Sequence, residues 1–113
     1  MDKHFIKNID FEVPLNMEGL VDYQEGKVIS RTLAQGKNLS LTLFSFDKGE
    51  EISSHSSGGD ALVYIIDGEA EITIGENKFN VKKGETIAMP AGISHALLAN
   101  ERFKMLLIVV FNA

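Results

Sequence analysis

Leu39, Leu41 and Leu43 alternate with smaller or polar residues, and Ala61, Val63 and Ile65 keep the same two-residue period against Leu62, Tyr64 and Ile66. A period of two is the signature of extended chain, in which successive side chains point to opposite faces of a sheet. In "KVISRTLAQGKNLSLTLFSFDKGEE", turns at Gln35 to Asn38 and at Asp47 to Gly49 predict a hairpin. "ALVYIIDGEAEITI" carries Asp67-Gly68 between two extended runs, and this pair predicts a second hairpin because it accepts positive φ. Then follow a turn at Gly75 to Asn77, a strand "KFNV", a turn at Lys83-Gly84, a strand "ETIAM", a Pro-Ala-Gly corner, a strand "SHALLA" and a closing strand from Phe103. Within that last strand "FKMLLIVVF" is the longest apolar run and reads as a strand buried on both faces. Turns recurring roughly every 8 to 12 residues predict an all-β antiparallel sandwich or barrel. No stretch predicts a long amphipathic helix. Residues 8–26 are less regular and are expected to wrap across the barrel or reach a partner.

Composition narrows the function classes. The chain has 113 residues, 44% hydrophobic and 24% charged, as in an ordinary soluble domain, and no tract suggests a linker or a second domain. Net charge is −5 and the lysines and arginines are scattered, so the basic stripe that nucleic acid needs is missing. There is no cysteine, which excludes disulfides, thiolate metal sites and a cysteine nucleophile. The N-terminus "MDKHFIKNID" carries charges where a signal peptide needs an apolar core, and the closing apolar run is too short to span a bilayer as a helix. A cytoplasmic protein without nucleic-acid or membrane partners is expected.

From Gly49 onward the chain resembles the cupin family. Its first motif, G-x5-H-x-H-x(3,4)-E-x6-G, is matched by Gly49, His55 and Gly68, and its second, G-x5-P-x-G-x2-H-x3-N, by Gly84, Pro90, Gly92 and His95. The resemblance implies a cupin double-stranded β-helix, a jelly-roll barrel of two antiparallel sheets. It also implies a single domain over 1–113, with an N-terminal arm and edge strand in 1–26 and the barrel in 27–111. Motif one then occupies 49–68 and motif two 84–99. In the family, two histidines and a glutamate from the first motif and one histidine from the second hold a divalent ion. Here Ser57 stands at the second histidine position, Ala61 at the glutamate position and Ala99 at the asparagine position. Only His55 and His95 remain, as candidate metal ligands for iron, manganese, nickel or zinc and as candidate acid–base groups. Asp60 is the nearest carboxylate and a weak third ligand candidate, because strand parity turns it away if Ala61 faces inward.

If His55 and His95 point into the barrel, parity sends Ser57, Ala61, Val63, Ile65 and Leu97 inward as a mostly apolar pocket, with Met89 and Met105 as bordering candidates. The opposite face, Leu62, Tyr64 and Ile66, is apolar where a monomer should be polar. Coverage by the N-terminal segment or by a second copy is expected, and a homodimer is the favoured expectation.

Other constellations carry less. "SSHSSGGD" contains serine, histidine and aspartate, but neighbouring strand residues face opposite ways and no G-x-S-x-G elbow is present. Glu69 and Glu71 read as solvated outward residues, and His4 as structural or exposed. The expected function is binding of a small molecule by a barrel whose metal site is reduced or lost, as a sensor or carrier. The alternative is a divalent-metal-dependent isomerase, lyase or dioxygenase acting on a small metabolite such as a sugar acid.

Overall fold

The structure, a computed structural model, describes residues 3–111. Eight strands follow a one-turn 3-10 helix at Met17–Leu20: β1 Val28–Gln35, β2 Leu39–Phe46, β3 Glu51–His55, β4 Asp60–Ile74, β5 Asn77–Lys82, β6 Thr86–Met89, β7 His95–Leu98 and β8 Phe103–Val110. Every pairing is antiparallel. One sheet runs β1-β2-β8-β4-β6 and the other β5-β4-β7-β3, and β4 belongs to both. This is the expected jelly-roll barrel.

The double membership of β4 corrects the hairpin predicted at Asp67-Gly68. The residues before this pair bond to β6 and β8, and those from Glu69 onward bond to β5 and β7. The two runs therefore never face each other. A register shift between Ile65 and Asp67 bends the strand from one sheet into the next. Gly68 does take the positive φ that the sequence suggested, 73°, but it does so inside a strand. A second correction concerns residues 1–26. Among the described residues of that segment there is no strand, and the sheet edge is β1.

The core forms where the inward phases of both sheets meet. Along β4 burial alternates strictly, with Ala61, Val63 and Ile65 buried and Leu62 and Tyr64 each 40% exposed. Phe46 and Phe103 stack at 4.4 Å between ring centroids and close one end of the barrel. A second, smaller cluster lies on the outer face of the β1-β2-β8 sheet, where Val21 of the arm covers Leu33 and Leu43.

The arm is held by polar contacts as well as by this cluster. The Tyr23 hydroxyl donates to Asp67 Oδ2 at 2.6 Å, the Ser45 hydroxyl to the Asp22 carbonyl at 2.8 Å, and Arg31 to the Leu20 carbonyl at 2.6 Å. Burial, and then the hydrogen bond to Asp67, push the Tyr23 hydroxyl above the ordinary tyrosine range. Lys104 is buried in a strand otherwise rich in apolar residues. Its Nζ donates to the Glu18 carbonyl at 2.7 Å and lies 4.8 Å from the Tyr23 ring centroid, which satisfies the charge without a carboxylate.

The arm therefore covers Ile66 but leaves Leu62 and Tyr64 open, and Phe5, Ile6 and Phe11 are themselves exposed. Among the described residues no helix is long and apolar enough to cross a membrane.

Candidate functional site

The barrel encloses a cavity of about 310 Å³ between the two sheets. Two loops and two strand ends build its mouth. β3 ends at His55, the segment Ser56 to Gly59 turns into β4, and the Pro90 to Ser94 corner leads into β7, which begins at His95. Two short contacts fix that turn. The Gly92 N–H donates to the Ser57 carbonyl at 2.9 Å, and Gly59 lies so close to β8 that a Cβ there would sit 2.6 Å from the Val110 carbonyl oxygen.

His55 and His95 face one another across the β3–β7 pair, with ring centroids 4.3 Å apart and planes at 69°. Their surroundings differ. His55 is exposed, and its Nδ1 lies 3.0 Å from the Ser53 carbonyl oxygen, which only accepts, so this contact places a proton on Nδ1 and selects the tautomer in which Nε2 is the acceptor. His95 is 5% exposed, and its Nδ1 is sealed from solvent without a hydrogen-bond partner. Burial, and then the neighbouring His55, hold the His95 imidazole below the usual histidine range, while a backbone contact at Ile93 works the other way.

This arrangement sets a sign for the pH dependence of stability. Because the folded-state value is depressed, the unfolded chain takes up the proton first, and the neutral ring's contribution is whole above the ordinary value of 6.5. It is lost as pH falls from there toward the folded-state value. Denaturant midpoints are expected to drop between pH 7.5 and pH 5.5, and His95→Gln should flatten that slope. An unchanged slope in the variant assigns the pH dependence to other groups.

Ser57, Ala61 and Leu97, which parity sends inward, line the cavity, and so do the bordering candidates Met89 and Met105. Val63 and Ile65 do not. They are wholly buried deeper along β4 in the packed floor beneath it, among Phe46 and Phe103. Ile52, Ser56, Leu107 and Val109 also line the cavity and were not picked out from sequence. Extending the Met105 parity along β8 finds Leu107 and Val109. Asp60, the weak metal candidate, points elsewhere, and its Oδ1 accepts from the Ala91 N–H at 2.8 Å. Among the described residues no three histidine, cysteine, aspartate or glutamate side chains converge. Glu69 is exposed, Glu71 takes a long contact of 3.3 Å from Asn100, and exposed His4 stacks on Phe11 at 4.0 Å.

A family model described as a cupin domain matches residues 42–111. A conserved protein of unknown function from Streptococcus pyogenes superposes with a TM-score of 0.96 and 48% identity over 98% of this chain and 97% of the other. A cupin superfamily protein from Desulfitobacterium hafniense gives 0.90 and 36% over 95% and 98%. A cupin 2 conserved barrel domain protein from Leptotrichia buccalis is 47% identical over 85% of this chain and 47% of its own length. An uncharacterised protein from Streptomyces coelicolor is 30% identical over 59 residues, 52% of this chain and 56% of that protein.

Proposed function

Because the chain belongs to the cupin domain family, we propose that it is a small-molecule-binding barrel, a sensor or carrier, whose family metal site has been reduced to two histidines. One observation carries this reading. The four positions that the resemblance to the family assigns to an ion all line the cavity, and they supply two imidazoles, a hydroxyl and a methyl. The hydroxyl, Ser57 Oγ, already accepts from the Gly59 N–H at 3.1 Å. A firmly held divalent ion normally takes three or four protein ligands, so this donor set does not fit one.

The rest of the cavity suits an organic ligand. Its wall is mostly aliphatic and thioether, and about 310 Å³ is at the small end of the range for ligand pockets. The test is metal content per subunit, measured on protein purified without a metal-affinity tag and then incubated with iron, manganese, nickel and zinc. Substoichiometric metal, unchanged in the His55→Ala/His95→Ala double variant, is expected. A near-stoichiometric ion that the double variant loses overturns the proposal.

A further inference from the structure

Among the described residues the cavity wall contains no lysine, arginine, aspartate or glutamate, and its polar groups are two serines and two histidines gathered at the mouth. A cationic ligand would lose its hydration there without gaining a counter-charge, and an anion would meet no more than two imidazoles. The largely aliphatic wall therefore suits an uncharged ligand. The size is suitable as well: a cavity of about 150 Å³ holds one benzene, so about 310 Å³ leaves room for a six-membered ring with substituents.

The wall and the mouth then specify its chemistry. Met89 and Met105 are both almost wholly buried and both line the cavity, and thioether sulfur makes favourable contacts with aromatic rings. At the mouth, Ser53 fixes the His55 proton on Nδ1, so His55 Nε2 asks for a donor. An ether or ketone oxygen cannot supply one, whereas a hydroxyl can. We propose that the cavity binds a neutral, single-ring hydroxy-aromatic compound of the phenol class, its ring against the thioethers of Met89 and Met105 on the β6-β4-β8 wall and its hydroxyl donating to His55. This rests on the binding reading above and adds the ligand class.

The experiment is a titration of the purified chain at pH 7.5 with phenol, anisole, toluene and benzoate, followed through the methyl resonances of Met89 and Met105 in wild type and in His55→Ala. His55 is exposed, so the substitution leaves the fold intact. Phenol is expected to bind about tenfold tighter than anisole or toluene, the size of one ordinary hydrogen bond, and His55→Ala should erase that preference while toluene binding persists. Equal binding of phenol, anisole and toluene overturns the hydroxyl assignment and leaves the cavity reading standing. Preferential benzoate binding overturns the neutral-ligand assignment. No shift with any of the four overturns both this inference and the binding reading.

Discussion

Replacing Gly68 with alanine is expected to cost this protein about 3 kcal/mol or more, a large part of the stability of an ordinary domain. Two terms add. Gly68 has φ 73°, a conformation that costs an alanine roughly 1–2 kcal/mol. The added Cβ would also lie 2.1 Å from the Arg102 carbonyl oxygen and 2.9 Å from Phe103 Cα. Both neighbours are backbone, so relief requires β8 to move away from β4, and overpacking of that kind typically costs a further 1–3 kcal/mol. Gly84 provides the control. Its φ is 87°, yet a Cβ there meets nothing within 4 Å, so Gly84→Ala should cost only the conformational term. Urea midpoints of the two variants separate the contributions. Equal losses would mean that β8 yields freely at Arg102, and that the bend in β4 is not locked by close approach.

The same glycine shows what the sequence made legible and what it hid. Positive φ at Asp67-Gly68 was readable, because the residue pair is a local signal. Whether such a bend reverses the chain or carries it into a second sheet depends on which strands lie alongside, and those strands, β6 and β8, come much later in sequence. The inward phase of β4 was legible because five consecutive residues alternate and a slip by one would exchange every side chain. How far inward each residue reaches was not legible. Ala61 is at the mouth and Ile65 in the floor because of the Phe46–Phe103 stack, a contact between distant strands.

β3 left almost no trace. Glu51, Ser53, Ser54 and His55 are exposed, so no hydrophobic period marks the strand, which is defined by its pairing to β7. That pairing matters most for the candidate site, since it sets His55 opposite His95. Lys104 was hidden for a related reason. The run "FKMLLIVVF" reads as buried on both faces, but nothing local in it shows what a buried lysine would meet, which is the Glu18 carbonyl and the Tyr23 ring, both from the arm.

Restoring the family ligands by Ser57→His with Ala61→Glu should turn the cavity mouth into a divalent-metal site and make stability depend on the ion. Without metal the double variant is expected to be weaker than wild type by about 1–3 kcal/mol, because Ala61 is 3% exposed and a glutamate there places a carboxylate in an apolar wall. With manganese, nickel or zinc at a hundred times the dissociation constant, binding to the folded state alone returns about 2.7 kcal/mol. Thermal midpoints with each ion and after chelation would show this as a rise confined to the double variant. A double variant that stays folded and gains nothing from any ion means that positions 55, 57, 61 and 95 do not share one coordination sphere. Wild type gaining as much as the variant means that His55 and His95 already hold an ion without those two ligands, and the metal-poor reading of the barrel then fails. The two failures separate cleanly, because the first concerns the placement of residues 57 and 61 and the second concerns only the histidines already present.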